Sequence, residues 1–271
     1  MEHYQRPVKI ADGIYWVGTH DPETHLHCNP FLVMGGDRAV IIDPGSRPDF
    51  AGVMMKVLQT GIHPRQIAGL ILQHYDPDLC GSIPNFLDLC DNPDLRIYSK
   101  ASNNLFIRYY VDRSRHSHFQ DIEEMNMELA LGERRLKFIK TPYTHSAGSF
   151  VTFDDQTGTL FTSDLFGSLG KHWSLFLTLN DECFTCEDYQ NCPKHRDYCP
   201  LPDIISFHRH VMPCCRALKV AMQRLRPWDI KTIAPQHGSV INQPRDIAFL
   251  MDSLGNLTNV GIDGVPDEET P

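Results

Sequence analysis

The run Ala68-Gly69-Leu70-Ile71-Leu72 is apolar without interruption and stops abruptly at Gln73-His74-Tyr75-Asp76-Pro77-Asp78-Leu79-Cys80-Gly81. A short apolar run bounded by turn residues reads as a buried strand. A polar turn at the C-terminal end of such a strand is where α/β folds place ligands. On an extended segment, side chains at i, i+2 and i+4 share a side, which groups the imidazole of His74 with the carboxylates of Asp76 and Asp78. With Pro77 and Gly81 shaping the loop, that spacing suits a metal ion, provided that further ligands come from elsewhere in the chain.

The rest of the pattern surrounds this strand with others. Residues 8–19 read as two short strands about the turn Asp12-Gly13, and residues 29–34 and 39–43 as a hairpin ending at Asp43-Pro44-Gly45. A helix is predicted over 49–60, a short one over 83–89 and another over 102–111, with a strand at 95–98. Residues 113–120 are polar and predict a surface loop. Strands follow at 135–140, 149–153 and 160–162, then a helix at 212–226 with Pro213 in its first turn, a strand at 230–234 and a helix near 244–255. Two strand-rich halves, each followed by helices, predict an α/β sandwich of two sheets with helices outside. Residues 1–260 form the domain, and residues 261–271 read as an acidic, linker-like tail.

Composition narrows the function. A formal net charge of −9 with no basic run argues against binding a nucleic-acid backbone. No apolar run reaches the length of a membrane span and the N-terminus lacks a secretory h-region, so the cytoplasm is the expected compartment. There, nine cysteines are expected as thiols or metal ligands rather than disulfides. Fourteen histidines raise the expectation of a metal site without locating it.

Three further segments repeat the grammar of a strand followed by a polar residue in a tight turn: His145 in Thr141–Gly148, Asp164 in Phe161–Gly167, and His237 in Ala234–Gly238. In order and spacing the set resembles the metallo-β-lactamase superfamily, from about residue 8 to residue 255. The resemblance extends to Asp12-Gly13-Ile14-Tyr15-Trp16-Val17-Gly18 and Asp43-Pro44-Gly45, and it implies an αββα sandwich. The hydrolase branch of that superfamily carries His-x-His-x-Asp-His with zinc. This chain has His74-x-Asp76-x-Asp78-Leu79, and a carboxylate at the second position resembles the flavodiiron branch and its shorter relatives, the oxygen-binding diiron proteins. That resemblance implies two iron ions: His74, Asp76 and His145 on one, Asp78 and His237 on the other, and Asp164 bridging. Three converging carboxylates would otherwise repel by about 4 kcal/mol per pair at 4 Å and an effective dielectric of 20. Two departures stand out, Asp76 being one methylene shorter than the usual Glu and Leu79 replacing a common His.

Residues 171–206 are dense in Cys, Pro and charge and read as an insertion in the domain. Cys183, Cys186, Cys192 and Cys199 have the spacing of a zinc or iron–sulfur site, with a [4Fe–4S] cluster somewhat favoured. Cys28, Cys80 and Cys90 read as small buried hydrophobes. The resulting expectation is a diiron sensor of O2 or NO, joined to an output module or served by a redox donor, with a homodimer allowed. Whether the domain also turns over, as an O2 or NO reductase fed by an external donor, is open at this level. A zinc hydrolase is the third reading, opposed by Asp76 and Leu79.

Overall fold

The computed structural model describes residues 4–20, 26–170, 172–186 and 199–266. Seven strands of the first half lie side by side in chain order: β1 (Val8–Ala11), β2 (Ile14–Trp16), β3 (Phe31–Gly35), β4 (Arg38–Ile42), β5 (Ile67–Ile71), β6 (Arg96–Ser99) and β7 (Phe119–Asp121). The first four are antiparallel, and β4 to β7 run parallel. The second half supplies β8 (Glu128–Leu131), β9 (Arg134–Lys140), β10 (Phe150–Asp154), β11 (Thr159–Ser163), β12 (Phe176–Leu177), β13 (Thr232–Pro235) and β14 (Val240–Ile241). They assemble in the order β12-β14-β13-β11-β10-β9-β8, parallel only at β11–β13 and β12–β14.

Strand periodicity explains the layers. Along β3 and β4, Phe31, Val33, Val40 and Ile42 face the second sheet and meet Phe138, Phe150 and Phe161. Their alternates Leu32, Ala39 and Ile41 face outward, against α1 (Phe50–Gln59) and α3 (Ile83–Cys90), which bury Val53, Val57 and Phe86 there. The outer face of the second sheet buries Val151, Leu160 and Ile233 against α6 (Cys215–Leu225) and α7 (Pro244–Gly255). At about 1.5–3 kcal/mol per fully buried large apolar side chain, these three clusters carry the stability of the sandwich. The order helix–sheet–sheet–helix is the αββα arrangement. No helix among the described residues is long and apolar enough to cross a membrane.

Several expectations are corrected. Residues 113–120 are not a plain loop: a 3-10 segment, Arg113–His118, leads into β7, which adds to the sheet edge. Strand β8 falls outside the elements that the sequence pattern predicts. The helix expected from residue 212 begins at Cys215, with Pro213 ahead of it, and a separate α5 (Leu201–Val211) precedes it. The described part of the presumed insertion is built into the fold. Its Leu175 packs between the sheets, while Leu177, Leu179, Cys183, Leu201 and Ile204 join the second-sheet core, and β12 pairs with β14. The alternation 175-177-179 is a strand signal, diluted by the polar composition around it. Residues 261–266 are docked rather than linker-like: Gly261 and Ile262 donate backbone hydrogen bonds to Arg209 and Pro213, and the Asp263 carboxylate accepts the Cys215 N–H at 2.7 Å.

Candidate metal centre

The site forms where β5, β9, β11 and β13 run out. Beyond β5, Leu72 continues the pairing through a backbone bond to Tyr98, and Gln73 is clamped by Asp43, whose carboxylate accepts its backbone and side-chain N–H groups at 3.0 and 2.9 Å. Burial pushes the Asp43 carboxyl up to about 6. His74 follows, its Nδ1 2.8 Å from the Ser163 hydroxyl, which turns Nε2 inward. The loop is not extended, as the i, i+2, i+4 reading supposed. Pro77–Cys80 form one helical turn, α2, starting just after Asp76. That turn separates Asp76 from Asp78 and sends Leu79 and Cys80 into the core beneath the first sheet.

Other turns are fixed as closely. The His145 turn is knotted by Thr144 Oγ1 donating to the Thr141 carbonyl (2.8 Å) and by the Tyr143 N–H reaching the Ser146 carbonyl (2.7 Å). The Asp164 turn is held by the Gln236 N–H on the Ser163 carbonyl (2.7 Å) and by the Phe166 N–H on His208 Nε2 (2.9 Å). Nδ1 of His208 bonds the Ile204 carbonyl, and burial pushes this histidine's pKa down to about 4, so it stays a neutral acceptor. His237 Nδ1 lies 3.1 Å from the His27 carbonyl, leaving Nε2 to face the centre.

The six side chains singled out in the sequence converge. Nε2 of His145 lies 3.2 Å from Asp76 Oδ2 and 3.0 Å from Asp164 Oδ2, and Nε2 of His74 lies 3.8 and 3.9 Å from the same two atoms. On the far side His237 Nε2 is 3.1 Å from Asp78 Oδ2 and 3.6 Å from Asp164 Oδ1. One carboxylate thus turns an oxygen to each cluster. The donor atoms of His74, Asp76 and His145 lie within 4.8 Å of one another, and so do those of Cys28, Asp78 and His237.

Charge follows this interleaving. Burial opposes a proton on His145, but hydrogen bonds to Asp164 and Asp76 outweigh it and raise its pKa to about 10. Burial likewise opposes charge on His237, yet Asp78 and other neighbours hold it well above its ordinary value. Burial would raise Asp164, but the His74, His145 and His237 imidazoles pull it below the usual carboxylate range. Nε2 of His74 and Oδ1 of Asp164 are buried without a hydrogen-bond partner among the described residues. Inward-facing imidazole nitrogens, carboxylates and two orphaned donor atoms fit a pair of metal ions.

Sequence reasoning missed Ser163 and Asn29, which hold the turns that carry the site, left His208 by default among the surface or supporting histidines, and placed Cys28 in the apolar core. Cys80 and Cys90 do join that core, whereas Cys28 is buried but belongs to none of the three apolar clusters. Tyr75 packs on Phe106 and Tyr143 is exposed. Cys183 and Cys199 line one cavity of about 320 Å³, and Cys192 lies outside the described residues.

A sandwich of this order, with a His/Asp cluster at its strand ends, defines a metallo-β-lactamase-like α/β protein. Within that class the chain belongs to the family described as ODP family beta lactamase, whose sequence profile matches residues 26–238. It is 28% identical over 255 residues to the type A flavoprotein fprA of Rhodobacter capsulatus, covering 89% of this chain and 54% of that protein. The chain spans about half the length of the curated relatives it matches. Its fold is similar to the chemotaxis sensor ODP solved as a peroxy diiron species, with a TM-score of 0.73 and 22% identity over 95% of this chain and 97% of that one. The apo state of the chemotaxis sensor ODP from T. denticola gives a TM-score of 0.73 and 23% identity, covering 95% of each chain.

Proposed function

We propose that this chain is a non-haem diiron domain that binds O2 (or NO) and serves as a gas and redox sensor. The observation that carries it is the buried Asp164 carboxylate, which offers one oxygen to each of two donor clusters. His74, Asp76 and His145 would hold one iron, Asp78 and His237 the other, and Asp164 would bridge. Bound there, a pair of ferrous ions would supply the electrons that O2 takes up on binding. The chain's own part is positional. Ser163 aims the His74 lone pair, and the His27 carbonyl aims that of His237. Leu79, fully buried in the core, cannot supply the imidazole that the resemblance has at its position.

The sensor reading draws on the likeness to the chemotaxis sensor ODP, which extends over 97% of that chain's length. The cysteines at 183, 186, 192 and 199 are read as a second metal centre, an iron–sulfur cluster rather than zinc. In support, two of them line a single cavity. Anaerobically purified protein is expected to contain two iron ions per chain beyond those accompanied by acid-labile sulfide, and its absorption should change on exposure to O2. Absence of iron, or an unchanged spectrum, would refute the diiron reading. Iron without sulfide would refute the cluster alone, and sustained O2 consumption with a reductant would make the domain a reductase.

A further inference from the structure

We propose that Cys28 is a thiolate ligand to the metal ion held by Asp78 and His237, an inference that rests on the dinuclear reading of the site. Its Sγ lies in a group with the Asp78 carboxylate and the His237 imidazole, all donor atoms within 4.8 Å of one another. Cys28 is 6% exposed, yet it packs into none of the apolar clusters that absorb Cys80 and Cys90. A second observation points to the same spot. Oδ1 of Asp164, buried and without a hydrogen-bond partner among the described residues, lies 3.6 Å from His237 Nε2.

The thiol is held there by its neighbours on both sides. Asn29 donates its backbone N–H to the Gln236 carbonyl (2.8 Å) and its side-chain amide to the Pro235 and Gly238 carbonyls (3.0 and 2.8 Å). Trp16 Nε1 donates to the Asn29 side-chain Oδ1 at 2.8 Å, and His27 O faces His237 Nδ1. The segment 27–29 is therefore laced to the turn carrying His237, with Cys28 between the two anchors. With Leu79 turned away, Asp78, His237 and the shared Asp164 leave this ion one protein donor short of a four-coordinate set. Cys28 completes it. On binding, the S–H bond breaks heterolytically: the electron pair stays on sulfur and forms the sulfur–metal bond, the proton leaves to solvent, and no electron changes hands. A soft thiolate on one ion and none on the other makes the two positions inequivalent.

The test uses cobalt(II) loaded into the full chain, wild type beside Cys28→Ala and the nearly isosteric Cys28→Ser. Each is read by cobalt stoichiometry and by the near-ultraviolet sulfur-to-cobalt charge-transfer band; any cobalt taken up by the cysteines at 183, 186, 192 and 199 is common to wild type and variants and cancels in the difference. The wild-type-minus-variant spectrum is expected to show one thiolate's band. Affinity for one ion should fall at least roughly tenfold, since even outer partners of a ligand are worth 10–100-fold. The ion at His74, Asp76 and His145 should be retained, which also reports that the variant is folded. Both positions of the His/Asp site filled with unchanged affinity and no difference band would overturn the Cys28 assignment and leave the dinuclear site intact. A wild type that fails to fill both positions would overturn the dinuclear reading, and the Cys28 assignment with it.

Discussion

Ser163→Ala isolates what orients a ligand from what supplies one. The Ser163 hydroxyl and His74 Nδ1 are 2.8 Å apart, with both residues almost fully buried. With the Nδ1 proton on that hydroxyl, the Nε2 lone pair faces Asp76 and Asp164. Truncation leaves two outcomes, both unfavourable. Either the Nδ1–H stays and is buried without an acceptor, at about 1–3 kcal/mol, or the proton moves to Nε2 and blocks the lone pair. Outer partners of metal-bound histidines are worth roughly 10–100-fold in affinity, or about 1.4–2.7 kcal/mol, so the two estimates agree. Alanine keeps the backbone carbonyl that accepts the Gln236 N–H, so the turn carrying Asp164 is left intact. Competition with a chelator, resolving the two binding steps, should show the loss only for the ion at His74, Asp76 and His145. Unchanged affinities would mean that His74 needs no orienting partner. Equal losses at both positions would mean that Ser163 acts through the Asp164 turn instead.

Two further perturbations test the scaffold and its charges. Asp154→Asn strands the buried Arg134 guanidinium, now 2.5 Å from the carboxylate and also bonded to the Met34 and Asp12 carbonyls of the other sheet. The cost should be about 3–5 kcal/mol, which at roughly 2 °C per kcal/mol is a fall of about 6–10 °C in the Tm of the metal-free protein; a calorimetric shift near zero would refute it. The His145 pair makes a pH prediction for the metal-free protein. Its folded pKa of about 10 stands above the ordinary 6.5, so the stability it contributes is complete below 6.5 and is lost as the pH rises through about 10. Denaturant titrations should show the wild type losing its advantage over His145→Gln across that window, and an advantage that grows with pH would contradict the assignment.

The turns that carry the site were legible because their polar residues contradict their surroundings. His74, Asp164 and His237 each interrupt an apolar strand exit, a place where a polar side chain is costly unless something satisfies it. The strand β5 and helix α7 could be placed for the complementary reason, since their apolar pattern agrees with their local turn residues. Strands β7 and β8 lie at sheet edges, half-covered and short, and depend on a neighbour's ladder rather than on their own pattern. The stretch 175–179 failed differently, because three alternating leucines were outvoted by the polar composition on either side.

Cys28 was illegible because burial alone does not separate a thiol in an apolar core from a thiol facing an imidazole. The partner that tells them apart is on the far side of the fold: His27 and His237 are 210 residues apart and touch. Even so, the topology held a usable signal. Phe31 of β3 pairs with Ile42 of β4, and Ile42 pairs with Ile71 of β5, in one row across the sheet. Because β3 runs antiparallel to β4 and β5, the residues entering β3 share an edge with the residues leaving β5. A strand exit that carries His74 and Asp78 therefore faces a strand entrance, and the entrance reads His27-Cys28-Asn29. Searching only the C-terminal ends of strands covers half of such an edge. In a mixed sheet the other half belongs to antiparallel neighbours, and here it supplies the thiol opposite His237.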